Sequence, residues 1–146
     1  MNWYVIEDTF EHKGYKCVCI FNKMGFRCGY VGVDENHLYY GKNYYDDGIN
    51  EIDCHFGLTY SGDGSNFGST DALWYFGFDC GHFCDIPDFD LALKYGLIDE
   101  KHHMLSKSLE DIYKTDEKNS VKDVDFVKEN CKMIVEQLIL AKNKGD

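Results

Sequence analysis

No stretch of this 146-residue chain approaches the roughly 20 consecutive apolar residues that a membrane-crossing helix needs, so no spanning segment is expected. The N-terminus, Met1-Asn2-Trp3-Tyr4-Val5, lacks the basic residues and apolar core of a secretory signal, which points to the cytoplasm. Positive charge is scarce: 15 Lys and Arg stand against 26 Asp and Glu, for a formal net charge of −11 and a pI near 4.8. A chain this acidic repels phosphate backbones, which argues against direct binding of DNA or RNA. Also missing are a CxxC pair repeated at zinc-finger spacing and any recognised catalytic motif. Gly62-Asp63-Gly64-Ser65 lacks the Lys and the following Ser or Thr of a phosphate-cradling P-loop.

What the chain does have is apolar bulk. Hydrophobic residues make up 44% and aromatics 16%, enough area to bury to exclude an intrinsically disordered chain. Its length suits one domain with one core. Seven cysteines in a cytoplasmic chain read as reduced thiols, used for packing or metal binding rather than for disulfides. Cys17 and Cys19, two apart in the apolar run Cys17-Val18-Cys19-Ile20-Phe21, share one face of a strand and read as core. The acidic surface is suited to docking into a partner's basic groove.

The texture divides the single domain, 1–146, into a β-rich core over 1–96, a charged connector over 97–119 and a C-terminal helix over 120–143. Runs from Trp3 to Asp8, Lys16 to Asn22, Phe26 to Val33, Ile52 to Tyr60 and Ala72 to Asp79 predict five antiparallel strands. Thr9 to Tyr15 joins the first two, and Asn22-Lys23-Met24-Gly25 is a tight-turn signal. Long loops at 34–50 and 61–71 are places where binding residues tend to sit. Pro87-Asp88 opens a short helix over Phe89 to Tyr95, which Gly96 ends. The connector predicts at most a short helix around Ser106 to Tyr113. Ser120 is a good N-cap for the last helix, and Val121, Val124, Val127, Cys131, Ile134, Val135 and Leu138 recur at helical spacing. Asn143-Lys144-Gly145 closes that helix, whose apolar stripe needs the sheet as a partner. The expected fold is α+β: an antiparallel sheet of about five strands, a long C-terminal amphipathic helix and one or two short helices.

Trp74 to Asp85, WYFGFDCGHFCD, places metal-ligating side chains directly behind an aromatic run. A second cluster, Asp53-Cys54-His55, ends another apolar segment. Together they predict a metal site drawn from His55, Asp79, Cys80, His82 and Asp85, with zinc as the ion, because zinc takes sulfur, imidazole nitrogen and carboxylate oxygen in a tetrahedron. If the strand continues past Asp79, Cys80 and His82 point the same way and chelate together, while Asp79 orients a ligating imidazole from behind. Cys54 and Cys84 are reserve ligands. With all four positions filled the ion is structural; with one open the same residues make a metal-dependent hydrolase. A thiolate nucleophile, Cys80 or Cys84 beside His82, is a further catalytic option.

The wording of three segments resembles a group of small proteins encoded by phages, prophages and their hosts. These are Met24 to Val33 with Gly29-Tyr30-Val31-Gly32-Val33, His55 to Gly62, and Trp74 to Asp85. In that group Gly-Tyr-Val-Gly-Val, His-Gly-Gly-Leu-Thr-Tyr-Ser-Gly and Phe-Gly-Phe-Asp-Cys-Ala-His recur. Here Phe56 replaces a glycine and Gly81 the alanine, whereas His55, Asp79, Cys80, His82 and Asp85 stand where the pattern has them. The resemblance spans about residues 16–90 and leaves the tail beyond Asp99 uncovered. It implies an anti-defence role in a bacterial host cell, such as an anti-CRISPR inhibitor of a type II Cas nuclease. Such nucleases hold nucleic acid in positively charged channels that a folded polyanion can occupy. Asp34, Glu35, Asp46, Asp47, Asp88, Asp90, Asp99, Glu100 and Asp123 are among the acids available for this. The competing expectation is a sponge for a nucleotide immune messenger, stacking a base on Tyr39, Tyr40, Tyr44, Tyr45 or Tyr60 with Arg27 or Lys42 as the cation.

Overall fold

The computed structural model describes residues 2–144. Five strands, β1 (Tyr4–His12), β2 (Tyr15–Asn22), β3 (Arg27–Val33), β4 (Tyr60–Gly62) and β5 (Trp74–Asp79), form one antiparallel sheet in the order β1-β2-β3-β5-β4. Three helices follow: α1 (Phe89–Lys94), α2 (Glu100–Tyr113) and α3 (Val124–Lys144). The α+β expectation is therefore met, and the differences lie in the boundaries.

β1 and β2 are longer than their apolar runs, because Lys13 (φ 50) and Gly14 (φ 84) make a two-residue turn with both residues left-handed, the geometry that matches strand twist. Polar Glu11, His12 and Lys16 can extend the ladder because this corner of the sheet is solvated. The run from Ile52 to Tyr60 is not a strand. Ile52 ends a short 3-10 turn (Ile49–Glu51), and pairing begins only at Tyr60. Ile49 and Ile52 are buried as loop plugs in the main core, which explains apolar residues there without a strand.

α3 begins at Val124 rather than near Ser120. Asp123 caps it, accepting from the Phe126 amide at 2.9 Å, while Ser120 pairs instead with Asp85 in an isolated parallel bridge. Val127, Cys131, Ile134, Val135 and Leu138 form one stripe, fully buried against Cys17, Cys19, Val31, Val33, Phe76 and Phe78. Each large aliphatic side chain on that stripe stabilises the fold by about 1.5–3 kcal/mol, so helix and sheet depend on each other. Gly29 in β3 allows the close approach: a Cβ there would sit 2.6 Å from Phe78 and 2.9 Å from the Cys131 sulfur. Gly145, expected to close α3, lies outside the described residues.

The opposite sheet face is covered by Phe67 and Tyr60 from the loops and short strand, over Val18, Ile20, Tyr30 and Tyr75. β3 is consequently buried along its whole length. Asp88 caps α1 and Asp99 caps α2, which runs for 14 residues where a short helix was expected. Its support comes from buried Glu110, whose carboxylate accepts from the Phe89 amide, Lys107 and Lys114. No helix among the described residues is long and apolar enough to cross a membrane.

Candidate functional site

β5 stops at Asp79, and the chain turns so that the Asp85 amide donates to the His82 carbonyl at 2.9 Å. Ser120 locks this turn from the other side: its amide donates to Cys84 O (3.1 Å), and its carbonyl accepts from the Ile86 amide (2.8 Å). His55 arrives on the 52–59 loop, not on a strand end. Phe56 (φ 59) and Gly57 (φ 82) reverse that loop, an uncommon conformation for a bulky residue. Two polar residues of α3 hold it. Asn130 accepts from the His55 amide at 2.8 Å, while Gln137 accepts from the Asp53 amide (2.7 Å) and donates to the Asp53 carbonyl (2.8 Å).

These anchors converge on Asp85, whose side chain is 1% exposed. Its oxygens accept from His55 Nε2 (2.9 Å to each), the His82 amide (3.0 Å), His82 Nδ1 (3.0 Å) and Lys122 Nζ (3.1 Å). Burial pushes the Asp85 carboxyl up, but these hydrogen bonds outweigh burial and hold it below its ordinary value, so it is a carboxylate. The His55 ring is boxed edge-on by Phe56 and Phe126, and Phe56 stacks on His82 at 4.0 Å. Two imidazoles and one carboxylate thus present ligand atoms all within 4.8 Å of one another, and the group can hold a metal ion.

Of the five residues singled out from sequence, the structure brings together His55, His82 and Asp85. Asp79 lies beside them: it accepts from Thr59 Oγ1 (3.1 Å) and the Gly81 amide (3.0 Å), and its Oδ1 is 3.7 Å from His82 Nε2. Cys80 points into the main core, 2% exposed, because the strand does not continue to give it the orientation of His82. Burial raises the Cys80 thiol first and the nearby Asp85 charge adds to this, so without an ion it stays protonated and is a poor nucleophile. Burial raises Cys84 in the same direction, and its sulfur lies 3.6 Å from Asp85 Oδ1. Cys54 is pushed up to about 12 by burial.

Lys122, Asn130 and Gln137 were not foreseen. Asn130 and Gln137 did leave a trace: they are two turns apart and flank the apolar stripe of α3, a spacing that places two amides on one line. Nothing in the local sequence marked Lys122.

A second feature lies in the 34–53 loop. Its Asp34, Glu35, Asp46, Asp47, Glu51 and Asp53 face one lysine, Lys42, and no arginine within that segment. None of those acids forms an ion pair among the described residues. The loop is nonetheless tied down. His37 is buried; its Nδ1 accepts from the Tyr39 amide (3.0 Å), so Nε2 donates to Leu138 O of α3 (2.9 Å). Trp74 Nε1 donates to Lys42 O at 2.7 Å, and the Tyr40 hydroxyl donates to Ala72 O at 2.9 Å. Arg27, by contrast, is buried and committed: it pairs with Glu7 through Nε (2.6 Å) and Nη2 (3.1 Å), and donates to Lys122 O (3.0 Å). It is not available to a nucleotide. Compared with protein-family models, curated proteins and solved structures, the chain matches none of them.

Proposed function

We propose that this chain is a non-catalytic anti-defence protein, an anti-CRISPR inhibitor that presents the acidic 34–53 loop to the basic, nucleic-acid-binding groove of a Cas nuclease in the bacterial cytoplasm. The observation that carries this reading is the loop itself, with six acids that form no ion pair among the described residues, on a segment fixed to α3, β5 and the main core. A fixed array of negative charge loses little entropy on docking and gives fast, salt-sensitive association with a positive surface. Several of the other acids are already engaged: Asp88, Asp99 and Asp123 cap helices, and Asp90 pairs with His103 and Lys107.

In this reading the ion at His55, His82 and Asp85 is zinc, and its work is to tie the 52–59 loop, which continues directly from the acidic loop, to the 82–85 turn. Elemental analysis of purified protein then finds one equivalent of zinc per chain, lost in His82→Ala.

The functional test is target-DNA cleavage by a guide-loaded type II nuclease with the chain in excess. Inhibition is expected for the natural sequence. The D46K/D47K/E51K variant, with an unchanged melting temperature, should lose it. Equal inhibition by that variant overturns the role of the loop, and absence of inhibition across a panel of Cas nucleases overturns the target class.

A further inference from the structure

The metal group has an open neighbour. A cavity of about 330 Å³ lies between the β2–β3 turn, the 80–82 turn and α2, and His82 and Asp85 form part of its wall. The remaining wall is mainly apolar, from Met24, Phe26, Pro87, Phe89, Leu109 and Tyr113. Its volume is that of a small-molecule pocket. Lys23 and His102 also line it, and neither forms an ion pair among the described residues. On a chain of net charge −11, an unpaired lysine beside an apolar cavity favours an anion with an apolar body.

The ligand count points the same way. Closed structural zinc sites fill four positions with protein atoms, whereas three protein ligands leave one for a water or an exogenous group. Here the group is His55, His82 and Asp85, with Cys80 turned into the core and Asp79 hydrogen-bonded to Thr59 and Gly81. Phe56 and Phe126 close the His55 side, and Lys122 closes one Asp85 oxygen. Two of the three, His82 and Asp85, line the cavity.

We propose that this cavity binds a small apolar carboxylate, whose oxygen takes the open coordination position of the ion while its body lies against Phe26, Leu109 and Tyr113. The inference rests on the metal reading above and is independent of the acidic loop. Lys23 supplies the charge complement, and no bond to carbon is made or broken.

Cobalt(II) reports on this directly, because it replaces zinc and its visible absorption bands respond to a change of ligand. The cobalt-loaded protein, titrated with 4-phenylbutyrate, is expected to show a saturable band shift that the neutral 4-phenylbutyramide does not produce. Ser106→Trp, which fills the cavity from α2, should keep the cobalt bands and lose the response. Lys23→Glu, which leaves the cavity volume intact, should weaken carboxylate binding by about tenfold. Failure to take up cobalt overturns the metal reading and this inference with it. Uptake with bands indifferent to the carboxylate, or an unchanged response in both Ser106→Trp and Lys23→Glu, overturns the pocket alone and leaves the metal reading standing.

Discussion

His37 shows how much one side chain decides. Burial is the main cause that holds its imidazole below the ordinary value; the Leu138 carbonyl opposes this, Lys142 adds to it and Asp34 opposes it. A histidine with a lowered folded pKa contributes stability that is present above the unfolded value of about 6.5 and is lost as pH falls through that range. Titration followed by NMR should therefore give His37 a midpoint below about 6.5, and protection of the 34–53 amides, corrected for the intrinsic pH dependence of exchange, should fall between pH 7 and pH 5. Phe56 is a second such residue. Its left-handed backbone costs about 1–2 kcal/mol, and its stack on His82 returns about 0.5–1.5 kcal/mol, so the two nearly cancel. Phe56→Gly should change stability by less than about 1 kcal/mol, whereas Phe56→Val keeps the strain, loses the stack and should cost about 1–2 kcal/mol in urea unfolding. His55 and His82 were legible as ligands because their types announced the chemistry. The exclusion of Cys80 was not, because it depends on where β5 stops pairing.

At the scale of elements, the long α3 was legible from its stripe, and so were the β2 and β3 ladders. What was not legible is that α3 also serves as the scaffold of the site. Asn130 and Gln137 hold the His55 loop through its backbone, and a local reading cannot distinguish such anchors from ordinary polar flanks. Replacing both with Ala removes the three hydrogen bonds to the loop, each worth about 0.5–1.5 kcal/mol net, and two to the helix backbone at Phe126 O and Met133 O, without touching the buried apolar stripe. Amide exchange at Asp53 and His55 is then expected to accelerate while the Ile134 and Leu138 amides keep their protection; equal acceleration in α3 would show that the anchors support the helix instead. The 52–60 run misled for a related reason. Ile49 and Ile52 are buried as plugs, and burial of a loop uses the same residue types as burial of a strand.

Across the whole molecule, composition gave the sign of the charge but not its address. Only the caps and ion pairs distinguish acids that stabilise helices from acids that form no ion pair among the described residues, and six of the latter lie in the 34–53 loop. That loop runs directly into the segment that carries His55. The most direct measurement is the affinity of the chain for a purified Cas nuclease as a function of salt, comparing the natural sequence with D46K/D47K/E51K. The account predicts a complex that weakens steadily as salt rises, with the variant both weaker and less salt-dependent. A complex of equal strength and equal salt dependence in the two proteins would contradict it.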